Sequence, residues 1–444
     1  MKIILPEKVN GIIEVLTSAG HEAYVVGGCV RDSLLGREPE DWDITTSASP
    51  EEVKLLFPRT VDTGIMHGTV TVLIGKEGFE VTTYRIDGEY ENSRHPKKVM
   101  FTDNLIEDLK RRDFTINAMA YNEQAGLVDA FEGMADLEKK IIRCVGNARE
   151  RFEEDALRIL RAIRFCAQLG YEIEKDTEEA IKNQAADLSK ISAERIRIEL
   201  LKLITSEHPE VLRKAYETNV TAVILPEFDQ MMQTPQNNPH HEYNVGEHTL
   251  KAVCNCDADK VLRLTMLFHD VGKTRCRTTD ESGKDHFYSH AMISQKITKD
   301  IMKRLKFDND TLGIVTRLVL KHDLKIEASP TGVRKAIYDV GDDIFPYLLK
   351  VKNADMLAQS QEQRTQKIEA LQRIESFYHG IIEQKECVSL KMLAVTGTDL
   401  ISLGRKPGKE IGEILRKLLL IVIEHPEWNS KEYLLNMIEQ EDII

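Results

Sequence analysis

The 444-residue sequence contains no uninterrupted apolar run near the ~18 residues that a membrane span requires, and its opening run, Met1-Lys-Ile-Ile-Leu-Pro6, breaks at the proline. That pattern is expected of a soluble, unexported, cytoplasmic protein with no membrane partner. Cysteine is scarce. Its seven residues, an odd number scattered from Cys29 to Cys387, argue for reduced thiols and against a disulfide framework. Cys254 and Cys256 form the one close pair, and a C-x-C without a second pair is a weak zinc signal. Net positive charge is missing too: 60 Lys and Arg stand against 73 Asp and Glu, a balance of −13 that at first sight speaks against a nucleic-acid partner. No internal repeat or low-complexity tract stands out.

That average conceals a local concentration of positive charge. Arg111 and Arg112, then Arg151, Arg158, Arg161 and Arg164, then Arg195 and Arg197, gather basic groups between about 110 and 200. A phosphate-binding groove can therefore coexist with an anionic exterior.

The length implies three or four packed units, and 42% hydrophobic residues is enough to give each a core. The first ~120 residues mix signals: an amphipathic helix over 6–19 stopped by Gly20, then short β-rich runs at Ala23–Val26, Trp42–Thr45, Gly68–Ile74 and Phe79–Tyr84. From about Leu127 onward apolar residues recur at helical spacing, as in Leu157, Leu160 and Ile163, and the remainder is expected to be helical. The expected class is α+β, with boundaries near 145, 225 and 380. These delimit a head (1–145), a neck (146–225), a body (226–380) and a tail (381–444).

The head carries Gly27-Gly-Cys-Val-Arg-Asp32 and then Asp41-Trp-Asp43. In a strand, residues i and i+2 share a face about 6.6–6.8 Å apart, so Asp41 and Asp43 can jointly hold divalent cations. Two hard ions about 3.5–4 Å apart form a clamp for in-line displacement at phosphorus. Glu80 is the best third carboxylate, because alternation turns it away from Phe79 and Val81. Gly27 and Gly28 let backbone amides approach a triphosphate, and Arg31 in the next turn can neutralise it. Taken alone, a D-x-D is equally the end of a surface strand.

Together with Asp108-Leu-Lys-Arg-Arg-Asp-Phe-Thr-Ile-Asn-Ala-Met-Ala120, these strings resemble the class II tRNA nucleotidyltransferases and bacterial poly(A) polymerases, within the polymerase β-like superfamily. The resemblance implies that an RNA 3′ hydroxyl attacks the α-phosphate of a bound CTP or ATP and pyrophosphate leaves. It places Asp41 and Asp43 as Mg2+ ligands and Glu80 as the third acidic residue. Gly28, Arg31 and Arg112 fall on its triphosphate and ribose contacts, while Arg111 reads as a solvated helix start.

Downstream, Phe152-Glu-Glu-Asp-Ala-Leu-Arg-Ile-Leu-Arg-Ala-Ile-Arg-Phe165 sets Asp155, Arg158 and Arg161 three apart, which on a helix is one face. Cytosine and adenine each offer an amine donor beside a ring-nitrogen acceptor, so an Asp–Arg pair suits C and A and mismatches U and G. The segment resembles the family's E-D-x-x-R nucleotide-recognition motif. In isolation the same residues are ordinary stabilising helix pairs worth about 0.2–0.5 kcal/mol each. Arg164, one turn on, is placed to stack on or hydrogen-bond the nucleotide, or else is a surface charge.

The body carries a second constellation: His248, His269-Asp270, His290, His322 and Asp355. Imidazoles and carboxylates on separate helices can converge on one or two metal ions. The pattern resembles the HD superfamily of metal-dependent phosphohydrolases, which implies His248, His269, Asp270 and Asp355 around a first metal and His290 and His322 completing a second site, with Ni2+, Mn2+ or a similar transition metal. Turnover there, or a purely RNA-holding role for these helices, both remain open.

The expected whole is a nucleotidyltransferase head, helical neck, HD body and tail that add CCA or its terminal A to tRNA with CTP, ATP and Mg2+. The charged segment between Arg85 and Asp108, including Gly88-Glu-Tyr-Glu-Asn-Ser-Arg-His-Pro96, resembles the flexible loop of CCA- and A-adding members and disfavours CC-only addition. Residues 381–444, with an amphipathic helix near Ile411–Ile423, resemble the tail that grips the tRNA elbow, or serve as a packing cap. Competing readings are a poly(A) polymerase and an HD phosphohydrolase whose head binds RNA. Oligomeric state is open.

Overall fold

The computed structural model describes residues 2–88, 90–91, 95–96, 99–237, 243–361 and 364–440, so much of the charged segment Gly88–Pro96 lies outside the described residues. Two compact units divide the chain, Met1–Pro226 and Glu227–Ile444.

The first unit opens with the helix Glu7–Ser18, which buries Val9, Ile12, Ile13 and Leu16 at the i, i+3, i+4, i+7 spacing of one face. Gly20, at φ 91°, accommodates the reversal that follows it. The strand Ala23–Val26 then enters a seven-stranded sheet of order Gly126–Asp129, Met119–Asn122, Ala23–Val26, Ile44–Thr46, Glu77–Thr83, Thr69–Ile74 and Thr60–Gly64. Its neighbours run antiparallel except for Ile44–Thr46 beside Glu77–Thr83, which is parallel with Ile44 opposite Val81. The helix Pro50–Leu56 supplies the crossover, begun by a capping box between Ser49 and Glu52. Val26, Tyr84, Leu105, Leu109, Ala118, Ala120 and Val145 form a core beneath the sheet.

Helices follow. Ala148–Glu154 is capped by Asn147, whose side chain accepts from the Arg149 and Glu150 amides. Leu157–Leu169 is buried on most of its circumference, packs against Ala193–Ile204, and stops at Gly170 in the left-handed conformation. The helical expectation has small exceptions. Ile141–Ile142 pairs with Glu172–Ile173, and in the second unit Arg277–Thr279 pairs with Asp285–Phe287.

In the second unit Val245–Cys254, Lys260–Phe268, Asn309–Lys321 and Phe345–Ala358 pack around one another, with His290–Arg304 against Asn309–Lys321. The expected amphipathic tail helix is Lys409–Glu424, whose Leu418, Leu419, Val422 and Ile423 meet Leu400, Leu434 and Ile438. Among the described residues no helix is long and apolar enough to cross a membrane.

Candidate functional site

Asp41 and Asp43 lie in the irregular segment leading into Ile44–Thr46, so strand alternation is not what pairs them. The sheet still fixes Asp43, whose carbonyl accepts from the Val26 amide at 3.0 Å. Because Ile44 sits opposite Val81, Asp43 comes level with Glu80, and both turn away from the face that buries Ile44 and Val81. Burial lifts the Asp43 carboxyl above its ordinary range; Arg112 pulls it down and Asp41 adds to the rise. Burial, then Asp43 and Asp41, raise Glu80 likewise. Two carboxylates that resist ionisation, with the Asp41 carboxylate beside them, form a site that fits a divalent cation.

Asp41 and Asp43 open on a cavity of about 590 Å³, shared with Gly27, Gly28, Arg31, Arg112, Arg161 and Arg164. Gly27, at φ 83°, is the glycine that the backbone requires; a Cβ there would stand 2.9 Å from Arg112 Nη1. At Gly28 a Cβ would make only an ordinary 3.7 Å contact with Arg31 Nη2. Arg31 donates from Nη1 to Asn117 Oδ1 at 2.6 Å and from Nε to Asp32 Oδ1 at 2.9 Å. Arg112 lies 3.6 Å from Asp108, and its buried Nε has no hydrogen-bond partner among the described residues, leaving a donor for a ligand. Arg111 is not solvated. It donates from Nε and Nη2 to the fully buried Asp108 Oδ1 at 2.9 and 2.7 Å.

The neck departs from the expected single helix. Ala148–Glu154 ends before Asp155, which is extended at φ −141°, and a new helix starts at Leu157. Asp155 Oδ1 accepts from the Leu157 amide at 3.0 Å, and its carboxylate receives Arg195 Nη1 and Nη2 at 3.3 and 2.7 Å. Arg158 donates to Glu154 and to the carbonyls of Arg151 and Arg111, the latter two at 3.1 and 2.9 Å. The cause of the departure is local: a carboxylate that caps the following helix takes its own backbone out of helical conformation. Among the described residues the cavity lining includes Arg161 and Arg164 but neither Asp155 nor Arg158. Arg161 donates from Nε and Nη2 to Asp113 Oδ2 at 2.8 and 2.6 Å. Arg164 is buried rather than a surface charge, its Nε 3.2 Å from Glu199 Oε2, and burial with the nearby Arg161 brings its pKa down to about 10.

In the second unit the six expected ligands converge. His269 and His322 cap the C-termini of Lys260–Phe268 and Asn309–Lys321, and each has Nδ1 2.7 Å from a carbonyl of its own last turn, Met266 or Val319. His290 Nδ1 faces the Phe287 carbonyl at 3.0 Å and His248 Nδ1 the Ala358 carbonyl at 3.4 Å. All four Nε2 atoms therefore point inward, toward the same centre. His248 and His269 meet at 3.3 Å and His290 and His322 at 3.2 Å. Asp270 turns Oδ2 toward the first pair, at 3.5 and 3.3 Å, and Oδ1 toward the second, at 3.6 and 3.7 Å. Asp355 Oδ1 approaches only the first pair, at 3.0 and 3.6 Å. Burial opposes charge on His269, but Asp270 and Asp355 outweigh it and push its pKa up to about 10, so the pocket demands positive charge. Cys254 is exposed while Cys256 is buried, and among the described residues the potential metal clusters are the two built on Asp270.

Residues 23–143 match the family described as "Poly A polymerase head domain", 170–232 "Probable RNA and SrmB- binding site of polymerase A", and 280–438 "tRNA nucleotidyltransferase domain 2 putative". The CCA-adding enzyme of Levilactobacillus brevis is 35% identical over 427 residues, 96% of this chain and 95% of that protein. The chain belongs to the CCA-adding enzyme family. Its match to the Lactiplantibacillus plantarum CCA-adding enzyme is stronger, 56% identity, but spans 45% of this chain and about half, 49%, of that one. The Bacillus stearothermophilus CCA-adding enzyme in complex with CTP superposes with a TM-score of 0.71 at 28% identity, covering 99% of both chains.

For this member of the CCA-adding family, sequence reasoning missed the partners that hold the site together. Asp113 and Asn117 lie within the Asp108–Ala120 string, where neither taken alone shows what it does. Their spacing of four was a usable signal, since Asn117 Nδ2 donates to Asp113 Oδ1 at 3.1 Å. Arg195 and Glu199, also four apart, hold Asp155 and Arg164 from a neighbouring helix, and nothing local in the sequence joins those two segments.

Proposed function

We propose that the chain adds CCA, or its terminal A, to tRNA 3′ ends from CTP and ATP without a nucleic-acid template. The observation that carries this reading is the placement of Asp41 and Asp43, with Glu80 level with Asp43 on the paired strand, against a cavity whose other wall is Arg31, Arg112, Arg161 and Arg164. It is supported by the near-full-length similarity to a CCA-adding enzyme and by the CTP-bound relative.

Asp41 and Asp43 would hold Mg2+, with Glu80 beside them. The ion supplies activation of the attacking oxygen and neutralisation of charge at the phosphate. Arg31 and Arg112 orient the triphosphate, the unpartnered Arg112 Nε providing a free donor. Gly27 keeps the backbone thin where Arg112 crosses it. We assign choice of base to Asp155 and Arg158, with Arg158 leaving its main-chain carbonyl partners when a nucleotide enters. None of the seven cysteines is in a disulfide, which suits a reducing cytoplasmic setting.

The test is incubation with tRNA ending at the discriminator base, labelled CTP and ATP, and Mg2+. Two C and one A support the reading. A alone on CC-ending tRNA reduces it to terminal A addition, and long A tracts replace it with poly(A) polymerase.

A second reading holds for the second unit: it binds two transition-metal ions and hydrolyses a phosphoester. The division of Asp270 between two histidine pairs favours it. Opening of a cyclic phosphate to its monoester, or release of inorganic phosphate from a terminal one, by Ni2+- or Mn2+-loaded protein tests it.

A further inference from the structure

Three arginines of the nucleotide cavity share one aromatic ring. The guanidinium carbons of Arg164, Arg31 and Arg161 lie 4.1, 5.0 and 5.4 Å from the Phe165 centroid. Phe114 meets the same ring edge-on at 5.7 Å and 82°. Each arginine also has its own carboxylate: Asp32 for Arg31, Asp113 for Arg161 and Glu199 for Arg164. These come from three different segments of the unit, and Phe165 is the contact common to all three cations.

The ring is 5% exposed, so its faces are taken by the cations and are not free for a nucleobase. Like charges gathered this closely repel, and burial together with the neighbouring Arg161 lowers the pKa of Arg164. An aliphatic side chain of similar volume would fill the space but offer the guanidinium groups nothing. An aromatic ring presents the negative face of its quadrupole to them and offsets part of that repulsion.

We infer that Phe165 is a positioning residue, which through its π face holds Arg31, Arg161 and Arg164 in the spread that receives the triphosphate and nucleotide. This rests on the nucleotide-addition reading above, because it presumes that the cavity takes CTP and ATP.

The test replaces Phe165 in the full-length protein by mono-, di- and trifluorinated phenylalanine, which keep shape and apolarity while draining the ring face of negative charge. KM for CTP and for ATP is expected to climb stepwise with fluorination, by about five- to tenfold in total, with kcat little changed and thermal midpoint held. Phe165→Tyr should retain near-native KM, and Phe165→Leu should raise it as the fluorinated series does. A KM flat across the fluorinated series, or a KM that moves only together with the thermal midpoint, overturns the inference and leaves Phe165 a packing residue. Arg31→Ala separates the two layers: if it leaves KM for both nucleotides unchanged, the nucleotide-cavity reading itself has failed.

Discussion

His248 and His269 face each other Nε2 to Nε2 at 3.3 Å, while the Nδ1 of each ring is turned to a main-chain carbonyl, Ala358 for one and Met266 for the other. With both Nδ1 atoms engaged by main-chain carbonyls, the two Nε2 atoms are aimed at one shared gap. Nitrogen ligands about 2.0–2.1 Å from a common ion sit at roughly this separation from one another, so the pair is spaced for a metal.

Metal loading follows from this. The protein purified without chelator should carry up to two equivalents of transition metal, measured by elemental analysis, and lose thermal stability on chelation. Asp270→Asn should lower both equivalents because Asp270 serves both histidine pairs, whereas Asp355→Asn should lower one. Equal loss from the two variants would show that the cluster is not divided as the distances indicate.

Asp43→Asn should reduce nucleotide addition by about a thousandfold or more while leaving the metal content of the second unit unchanged. It carries a stability signature as well. The folded chain holds the Asp43 proton more readily than the unfolded chain, whose value is near 3.8. Stability from this group is therefore complete below that value and is lost as pH rises through the raised folded one. Without divalent metal at neutral pH, the inactive Asp43→Asn variant should thus melt higher than the parent in calorimetry. Excess Mg2+ should raise the parent's midpoint and not the variant's.

Gly27→Ala tests the glycine turn. A side chain at φ 83°, 2.9 Å from Arg112 Nη1, is strained by about 1–2 kcal/mol before any repacking and displaces that guanidinium. Denaturant melts should show the loss, and KM for both nucleotides should rise. Gly28→Ala, with only a 3.7 Å contact to Arg31, should be far milder in the melts.

Arg161→Gln would strand Asp113, which is 8% exposed. Burial opposes the Asp113 carboxylate, but Arg161 and Asn117 outweigh it and hold its pKa well below the usual range. Its stabilising contribution is present above the unfolded value near 3.8 and lost as pH falls toward the lower folded one. The variant should lose about 3 kcal/mol at pH 7 in urea melts. The gap should narrow near pH 4, where the stranded carboxyl of the variant is protonated and the parent's is not.

What could be read from the sequence divides along physical lines. The helix Glu7–Ser18 was legible because burial stamps a period on its residues, and the strand Ala23–Val26 because its residues are β-rich. The six histidines and aspartates of the second unit were legible as residue types in order. That His269 and His322 would sit at helix ends, with their Nδ1 atoms against the last turn, was not, because capping geometry leaves little trace beyond the residue itself. The Asp155–Arg158 geometry misled for a related reason. Spacing of three reads as one helical face, but Asp155 leaves helical conformation, and its side chain accepts from the Leu157 amide that opens the next helix. The bond from Arg195 that fixes it comes 40 positions later.

The parallel pairing of Ile44–Thr46 with Glu77–Thr83 bears on biogenesis. Asp43 and Glu80 become neighbours only when that pairing closes across an intervening helix and two other strands. Non-local, parallel contacts of this kind form slowly, because chain entropy is lost before the contacts repay it. A chain emerging from the ribosome cannot assemble its acidic centre until Thr83 has cleared the exit tunnel. A nascent chain still holding Thr83 in the tunnel therefore lacks the Asp43–Glu80 pair, whatever it has already folded upstream.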